Sequence, residues 1–321
     1  MEAKTVYLLV EPSIMTPIWH ANSIEGLKRA AAKQKRTVCQ IRSVEELDGQ
    51  DSPVAMVLIS TNNDWTSAAI ESCRKRNIRP IVIGCMPGKF GEDVSGTMYS
   101  SKSSVQEMLQ YYVSCGRKRV ALMGINENST NDATKREAFL TAARQLGLPA
   151  TAKDIYCSNK GAVNTLEAFF DNIDQYDGVM CGNDDLASQA FRALAENRLA
   201  GKVALVGQDA DLLACQRIVE GTQTMTVYKP VELLAEKAAE FACALGYEKM
   251  LEEKRVEEAD IPEELTSFLA ELETLDTIQD GMYEVPCYNL TPIAVTKENM
   301  DETIIADDFH TAEDVYLNVT K

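Results

Sequence analysis

The sequence has no run of about 18 apolar residues, so no segment is long enough to span a bilayer as a helix. It has only two histidines, His20 and His310, which rules out a histidine-based metal cluster. There is no CxxC pair and no Cys/His cluster. The nine cysteines, at 39, 73, 85, 115, 157, 181, 215, 243 and 287, are odd in number and scattered. They read as buried or half-buried free thiols, which suit a reducing compartment. The start, Met1-Glu2-Ala3-Lys4 and then the strand-like Thr5-Val6-Tyr7-Leu8-Leu9-Val10, lacks the charged start, long apolar stretch and cleavage site of a secretory leader. As it stands the sequence points to the cytoplasm; an extracytoplasmic location is the alternative if a leader has been removed.

Catalytic signatures are missing too. There is no GxGxxG after a strand, no GxxxxGKS/T, no HExxH and no GxSxG. No catalytic residue, metal or cofactor is therefore expected. A lone general base at either histidine is the exception, and His310, in Asp308-Phe309-His310, reads instead as a surface or capping position. Positive charge is scarce: 32 Lys+Arg against 49 Asp+Glu give a net charge of -17. That balance repels a polyphosphate backbone and argues against a nucleic-acid partner. It leaves room for a small neutral ligand, whose pocket is shaped independently of the outer surface.

What is present is an alternating pattern. Apolar runs rich in Val, Ile and Leu occur at 5–10, 36–41, 54–59, 80–83, 119–123, 178–181, 202–206, 223–227 and 285–295. Between them lie segments of helical periodicity at 24–34, 64–76, 103–115, 134–146, 163–170, 186–197, 210–220 and 231–245. Strands separated by helix-length crossovers predict an α/β fold of doubly wound parallel sheets. A chain of 321 residues divides more naturally into two such sheets than into one. The first break is expected at Ser114-Cys115-Gly116-Arg117-Lys118, where a helix ends at glycine. The charged segment 247–281 reads as a solvated helical insertion.

In open α/β sheets ligands bind beyond the carboxyl ends of the strands, so the polar residues there are the candidate site. Four places fit. Glu11 to His20 follows the first strand and carries Trp19, which could stack on a ligand or pack as a core aromatic. Asn126 to Arg136 is rich in hydrogen-bonding side chains, among them Asn131 and Arg136, some of which helix capping would use. Gly182-Asn183-Asp184-Asp185 and Gly207-Gln208-Asp209-Ala210 follow two further strands, and in each an Asx residue could cap the next helix or face a cleft. A carboxylate and an amide facing one cleft suit adjacent sugar hydroxyls.

The stretch 199–212, with Gly207-Gln208-Asp209-Ala210-Asp211-Leu212, resembles the D-xylose-binding protein family. The likeness continues through Gln216-Arg217-Ile218, Gly221 to Pro230, Val285-Pro286, Leu290-Thr291-Pro292-Ile293, Val295 to Asn299 and Asp308-Phe309-His310. The first half resembles type I periplasmic-binding and lac-repressor-type sensor domains more generally, through its strand–helix pattern and Gly116-Arg117-Lys118-Arg119-Val120-Ala121-Leu122-Met123-Gly124. The resemblance implies two α/β lobes joined by three crossovers, with sugar held between them. Lobe one would be 1–115 plus 231–287, and lobe two 116–230 plus 288–321. It implies ligand contacts at Asn183, Asp209 and Lys229, and less securely aligned ones at Asn131 and Arg136. It implies a non-catalytic sugar sensor or solute-binding protein. The output would be an importer of the ABC type, or a signalling partner as in a transcription regulator whose DNA-binding module is absent here. An unaided DNA-binding repressor and an enzyme on a two-lobed fold are the disfavoured classes.

Two departures stand out. The family has an Asp-Arg pair where this chain has Gly84-Cys85, and an Arg where it has Met15-Thr16-Pro17-Ile18. A hydrogen bond to a charged group is worth about 1.5–3 kcal/mol, so losing several predicts a different or weaker ligand than xylose.

Overall fold

The computed structural model describes residues 5–12, 17–48, 53–60, 62–84, 95–99, 101–125, 130–157, 162–252, 257, 263, 266–267, 270, 276–280 and 283–319. The chain runs β1 (Thr5–Val10), α1 (Pro17–Lys33), β2 (Thr37–Ile41), β3 (Ala55–Ser60), α2 (Asn63–Arg74), β4 (Arg79–Gly84), β5 (Ser95–Tyr99) and α3 (Ser101–Ser114). It continues through β6 (Val120–Ile125), α4 (Thr130–Gln145), β7 (Ile155–Cys157), α5 (Ala162–Phe170), β8 (Gly178–Cys181), α6 (Asp184–Glu196), β9 (Ala204–Gln208), α7 (Leu212–Glu220) and β10 (Met225–Tyr228). After α8 (Val231–Glu252) come β11 (Asp276–Asp280), β12 (Tyr283–Leu290), β13 (Ile293–Val295) and a last short helix, Ala312–Val315.

Two compact units result, Met1–Tyr99 with Pro230–Leu290, and Ser100–Lys229 with Thr291–Lys321, so the chain passes between them three times. The first unit holds a seven-stranded sheet in the order β11-β12-β5-β4-β3-β1-β2, parallel except for the β11–β12 pair. Its strands β3 and β4 are buried on both faces, which is why they read as continuous apolar runs. α1 and α8 cover one face through Leu27, Ala31, Leu234, Ala238 and Phe241, and α2 covers the other through Ile70 and Cys73. The α1–α8 approach is close because Gly26 has no β-carbon; one there would press on the Glu232 carbonyl.

The second unit holds a six-stranded sheet, β13-β10-β9-β8-β6-β7, with only the β13–β10 pair antiparallel. α3 and α4 cover one face (Met108, Tyr112, Phe139, Ala143) and α6 the other (Leu186, Ala187, Ala190, Leu194).

Four sequence expectations are corrected. α3 was expected in the first lobe, ahead of a break near 115; it packs in the second unit. The reason is Tyr112, fully buried, whose ring lies where Gly178 has no side chain and whose hydroxyl reaches the carbonyls of Val179 and Ala204 (2.9 Å to the latter). The run 285–295 is not one strand. It divides at Thr291-Pro292 into β12 of the first sheet and β13 of the second, since proline lacks the ladder N–H and restricts the residue before it. The segment 247–281 is not wholly a solvated helix: α8 continues to Glu252, and Asp276–Asp280 is the edge strand β11. The eight described cysteines are in no disulfide, but Cys39 and Cys115 are exposed rather than buried, and Cys85 lies outside the described residues.

Candidate functional site

Three of the predicted site residues sit at the carboxyl ends of three adjacent parallel strands of the second unit. Asn183 follows β8, Asp209 follows β9 and Lys229 follows β10. Lys229 Nζ donates to Asp209 Oδ1 at 2.7 Å, with the two side chains 21% and 37% exposed. Asn183 is exposed and caps α6: its Oδ1 accepts from the Leu186 N–H at 2.9 Å. The choice between capping and facing outward is thus settled differently at the two Asx positions. Asn183 spends its oxygen on the helix and keeps its amide N–H groups free of that bond. Asp209 caps nothing and turns to the lysine.

Asp209 and Ala210 both have positive φ, 98° and 56°. Non-glycine residues held there cost of order 1–3 kcal/mol each. The turn is paid back in hydrogen bonds. Asp209 N–H donates to the Val227 carbonyl (2.9 Å), Ala210 N–H to Thr226 Oγ1 (3.2 Å) and Asp211 N–H to Asp184 Oδ2 (3.0 Å). The Ala210 carbonyl accepts from His310 Nε2 (2.8 Å) and Cys215 Sγ (3.5 Å).

The residue that organises this end of the sheet is Asp184, which sequence reasoning left unassigned. It is fully buried, and besides Asp211 its carboxylate accepts from Thr226 Oγ1 (2.7 Å) and Gln223 Nε2 (3.2 Å). Gln223 in turn accepts from Arg217 Nε (2.9 Å), and the Arg217 guanidinium donates to Ser188 Oγ (3.0 Å) and lies over the Phe191 ring. Burial pushes the Asp184 carboxyl up to about 8, with the charges of Asp209 and Asp211 adding to the rise and the bonds from Thr226 and Asp211 opposing it. Burial likewise raises Asp211 and lowers Arg217. Gly207 is the position whose missing β-carbon makes room for Asp184.

In the first unit the matching strand ends carry Glu11 and Ser60. Glu11, directly after β1, is 4% exposed, and its Oε2 accepts from Ser60 Oγ (2.9 Å) at the end of the neighbouring β3. Ser60 also accepts from the Asn62 N–H at 2.9 Å.

The other predicted residues fall as follows. Trp19 lies in the first turn of α1, its side chain outside the described residues. Asn131 lies in the first turn of α4, which begins at Thr130 instead of the expected 134; its side chain too is outside the described residues. Arg136, in the next turn, is exposed. His310 does not cap a helix or sit on the surface; it is half-buried on the Ala210 carbonyl, and burial lowers its pKa. Gly84 ends β4 with φ 96°, while Cys85 and residues 13–16 lie outside the described residues. Among the described residues no helix is long and apolar enough to cross a membrane, and no group of His, Cys, Asp or Glu is placed to hold a metal ion.

Comparison with known proteins adds the family. The periplasmic binding protein domain matches residues 12–249, well over half of the chain. The chain belongs to this family. It is 42% identical over 284 residues to the D-xylose-binding periplasmic protein of Haemophilus influenzae, covering 86% of this chain and 79% of the relative. Among solved structures, a carbohydrate transporter solute binding protein from Chloroflexus aurantiacus in complex with D-glucose superposes with a TM-score of 0.70 at 18% identity, over 98% of each chain. A regulatory protein of the LacI family from Chloroflexus aggregans superposes with a TM-score of 0.66 at 15% identity, over 92% of this chain and 98% of that one. At these identities the two structures establish the α/β fold of the family; they do not transfer a ligand.

Proposed function

We propose that this chain is a non-catalytic receptor for a monosaccharide or related polyol. The observation that carries the reading is the Asp209–Lys229 pair at the ends of β9 and β10, beside Asn183 at the end of β8. An ion pair this exposed adds only about 0–1 kcal/mol to stability. Yet it stands on a turn whose two positive-φ residues are costly to hold. The hydrogen bonds of the turn hold that conformation, and its outcome is a carboxylate, an ammonium and an amide side by side at the strand ends, the groups that adjacent hydroxyls need. The D-xylose-binding relative supports the ligand class.

In this reading ligand binding acts by closure of two hinged lobes: the ligand favours the closed form by its differential affinity and shifts the population, and a partner reads that form. With Gly84-Cys85 in place of the family's charged pair, D-xylose binds more weakly than micromolar, or another sugar is preferred. A partner that reads a sensor, rather than an importer, is favoured by the exposed free thiols Cys39 and Cys115, which suit a reducing compartment.

The test is a thermal-shift screen over pentoses, hexoses, polyols and sugar phosphates, since a ligand of the folded state raises its apparent stability by mass action. A hit among neutral sugars or polyols is expected. Silence across the panel contradicts the reading, and calorimetry showing micromolar or tighter binding of D-xylose contradicts the expectation of a weaker fit.

A further inference from the structure

The dipeptide Phe309-His310 touches both arms of the Asp209–Lys229 pair without being part of it. His310 Nε2 donates to the carbonyl of Ala210, the residue after Asp209, at 2.8 Å. The Phe309 ring packs on Tyr228, the residue before Lys229, with ring centroids 4.9 Å apart. The two rings also pack on each other at 4.6 Å. Asp308, just before them, has φ 54°, so the backbone is bent to present the pair. Among the described residues the Ala210 carbonyl is otherwise served by Cys215 Sγ at 3.5 Å, a weak donor. Ala210 itself is fully buried.

We infer that Phe309-His310 is a positioning element that fixes the spacing of Asp209 and Lys229, so that ligand affinity depends on His310 although His310 makes no ligand contact. The inference rests on the sugar-receptor reading for its functional half and on geometry alone for its structural half. The imidazole holds the Asp209-Ala210 turn in its positive-φ conformation from a segment 100 residues further along the chain. The phenyl ring braces the end of β10. Release of the first lets the turn relax and the carboxylate drift from the lysine; release of the second moves the lysine. Burial keeps His310 neutral, with the proton on Nε2, the nitrogen that donates.

The experiment uses the whole chain and three variants: His310→Ala, His310→Gln, whose amide can donate to the same carbonyl, and Val315→Ala, which loosens the same buried cluster and leaves every hydrogen bond of the turn in place. Two quantities are read: hydrogen exchange of the segment 209–211, and calorimetric affinity for D-xylose, D-glucose and myo-inositol. His310→Ala should speed exchange at 209–211 about tenfold and weaken binding of whichever probe the wild type takes by about tenfold, roughly the effect of one hydrogen bond. His310→Gln should recover most of both, and Val315→Ala should change neither. Unchanged exchange at 209–211 in His310→Ala overturns the positioning role. Faster exchange with unchanged affinity overturns its link to the ligand. If the wild type takes none of the three probes, the receptor reading falls for those sugars, and the exchange result still decides whether His310 holds the turn.

Discussion

The carboxylate of Asp184 occupies the space that a β-carbon on Gly207 would need. The two residues lie on neighbouring elements, Gly207 within β9 and Asp184 at the start of α6, and the carboxylate is held there by Thr226, Gln223 and the Asp211 N–H. It has nowhere to retreat. Gly207→Ala should therefore cost about 2–3 kcal/mol, in the upper range for overpacking a core, and lower the urea midpoint with little change in slope.

Asp184 also gives the fold a pH dependence whose sign is defined. Its carboxyl is raised from an ordinary 3.8 to about 8, mainly by burial. In the window between those values the folded state binds a proton that the unfolded chain releases. The stabilisation is fully present below about pH 4 and is lost as the pH rises through about 8. Asp184→Asn removes the titration but places an amide N–H against Gln223, so its stability curve should lie lower and fall less between pH 5 and about pH 8. Denaturant midpoints across that range check it; a variant as steep as the wild type contradicts the role assigned to Asp184.

Much of the architecture was legible because a parallel strand buried on both faces leaves an unbroken apolar run, as in 54–59 and 80–83. Strands without such a run escaped: β5 is Ser-Gly-Thr-Met-Tyr and β11 Asp-Thr-Ile-Gln-Asp, both held by backbone pairing. Helical periodicity shows that α3 has a buried face but not which sheet that face covers; the Tyr112–Gly178 fit decides that, across 66 residues of sequence. At the candidate site, Asn183 and Asp209 were proposed from strand ends and family likeness, and Lys229 from the likeness alone. Asp184 was hidden because any residue of Asn183-Asp184-Asp185 could cap a helix locally, and which one is buried depends on Gly207, far along the chain. His310 was misplaced for the same reason: its partner, Ala210, is 100 residues away.

The assignment of α3 to the second unit can be checked directly. Tyr112→Phe keeps the ring against Gly178 but removes the hydroxyl from the Val179 and Ala204 carbonyls. It should cost about 1–1.5 kcal/mol. Hydrogen exchange should quicken in α3, β8 and β9 and stay unchanged in β1 to β4. A change centred on β1 to β4 would place α3 with the first unit.

Isothermal titration of the wild type and Asp209→Ala, side by side, tests the receptor reading most directly. A sugar or polyol from the thermal-shift panel should bind the wild type and bind the variant at least about tenfold more weakly, as loss of charged hydrogen bonds requires. Equal affinity in the two proteins would contradict the account: the ligand would then be held somewhere other than the ends of β8, β9 and β10.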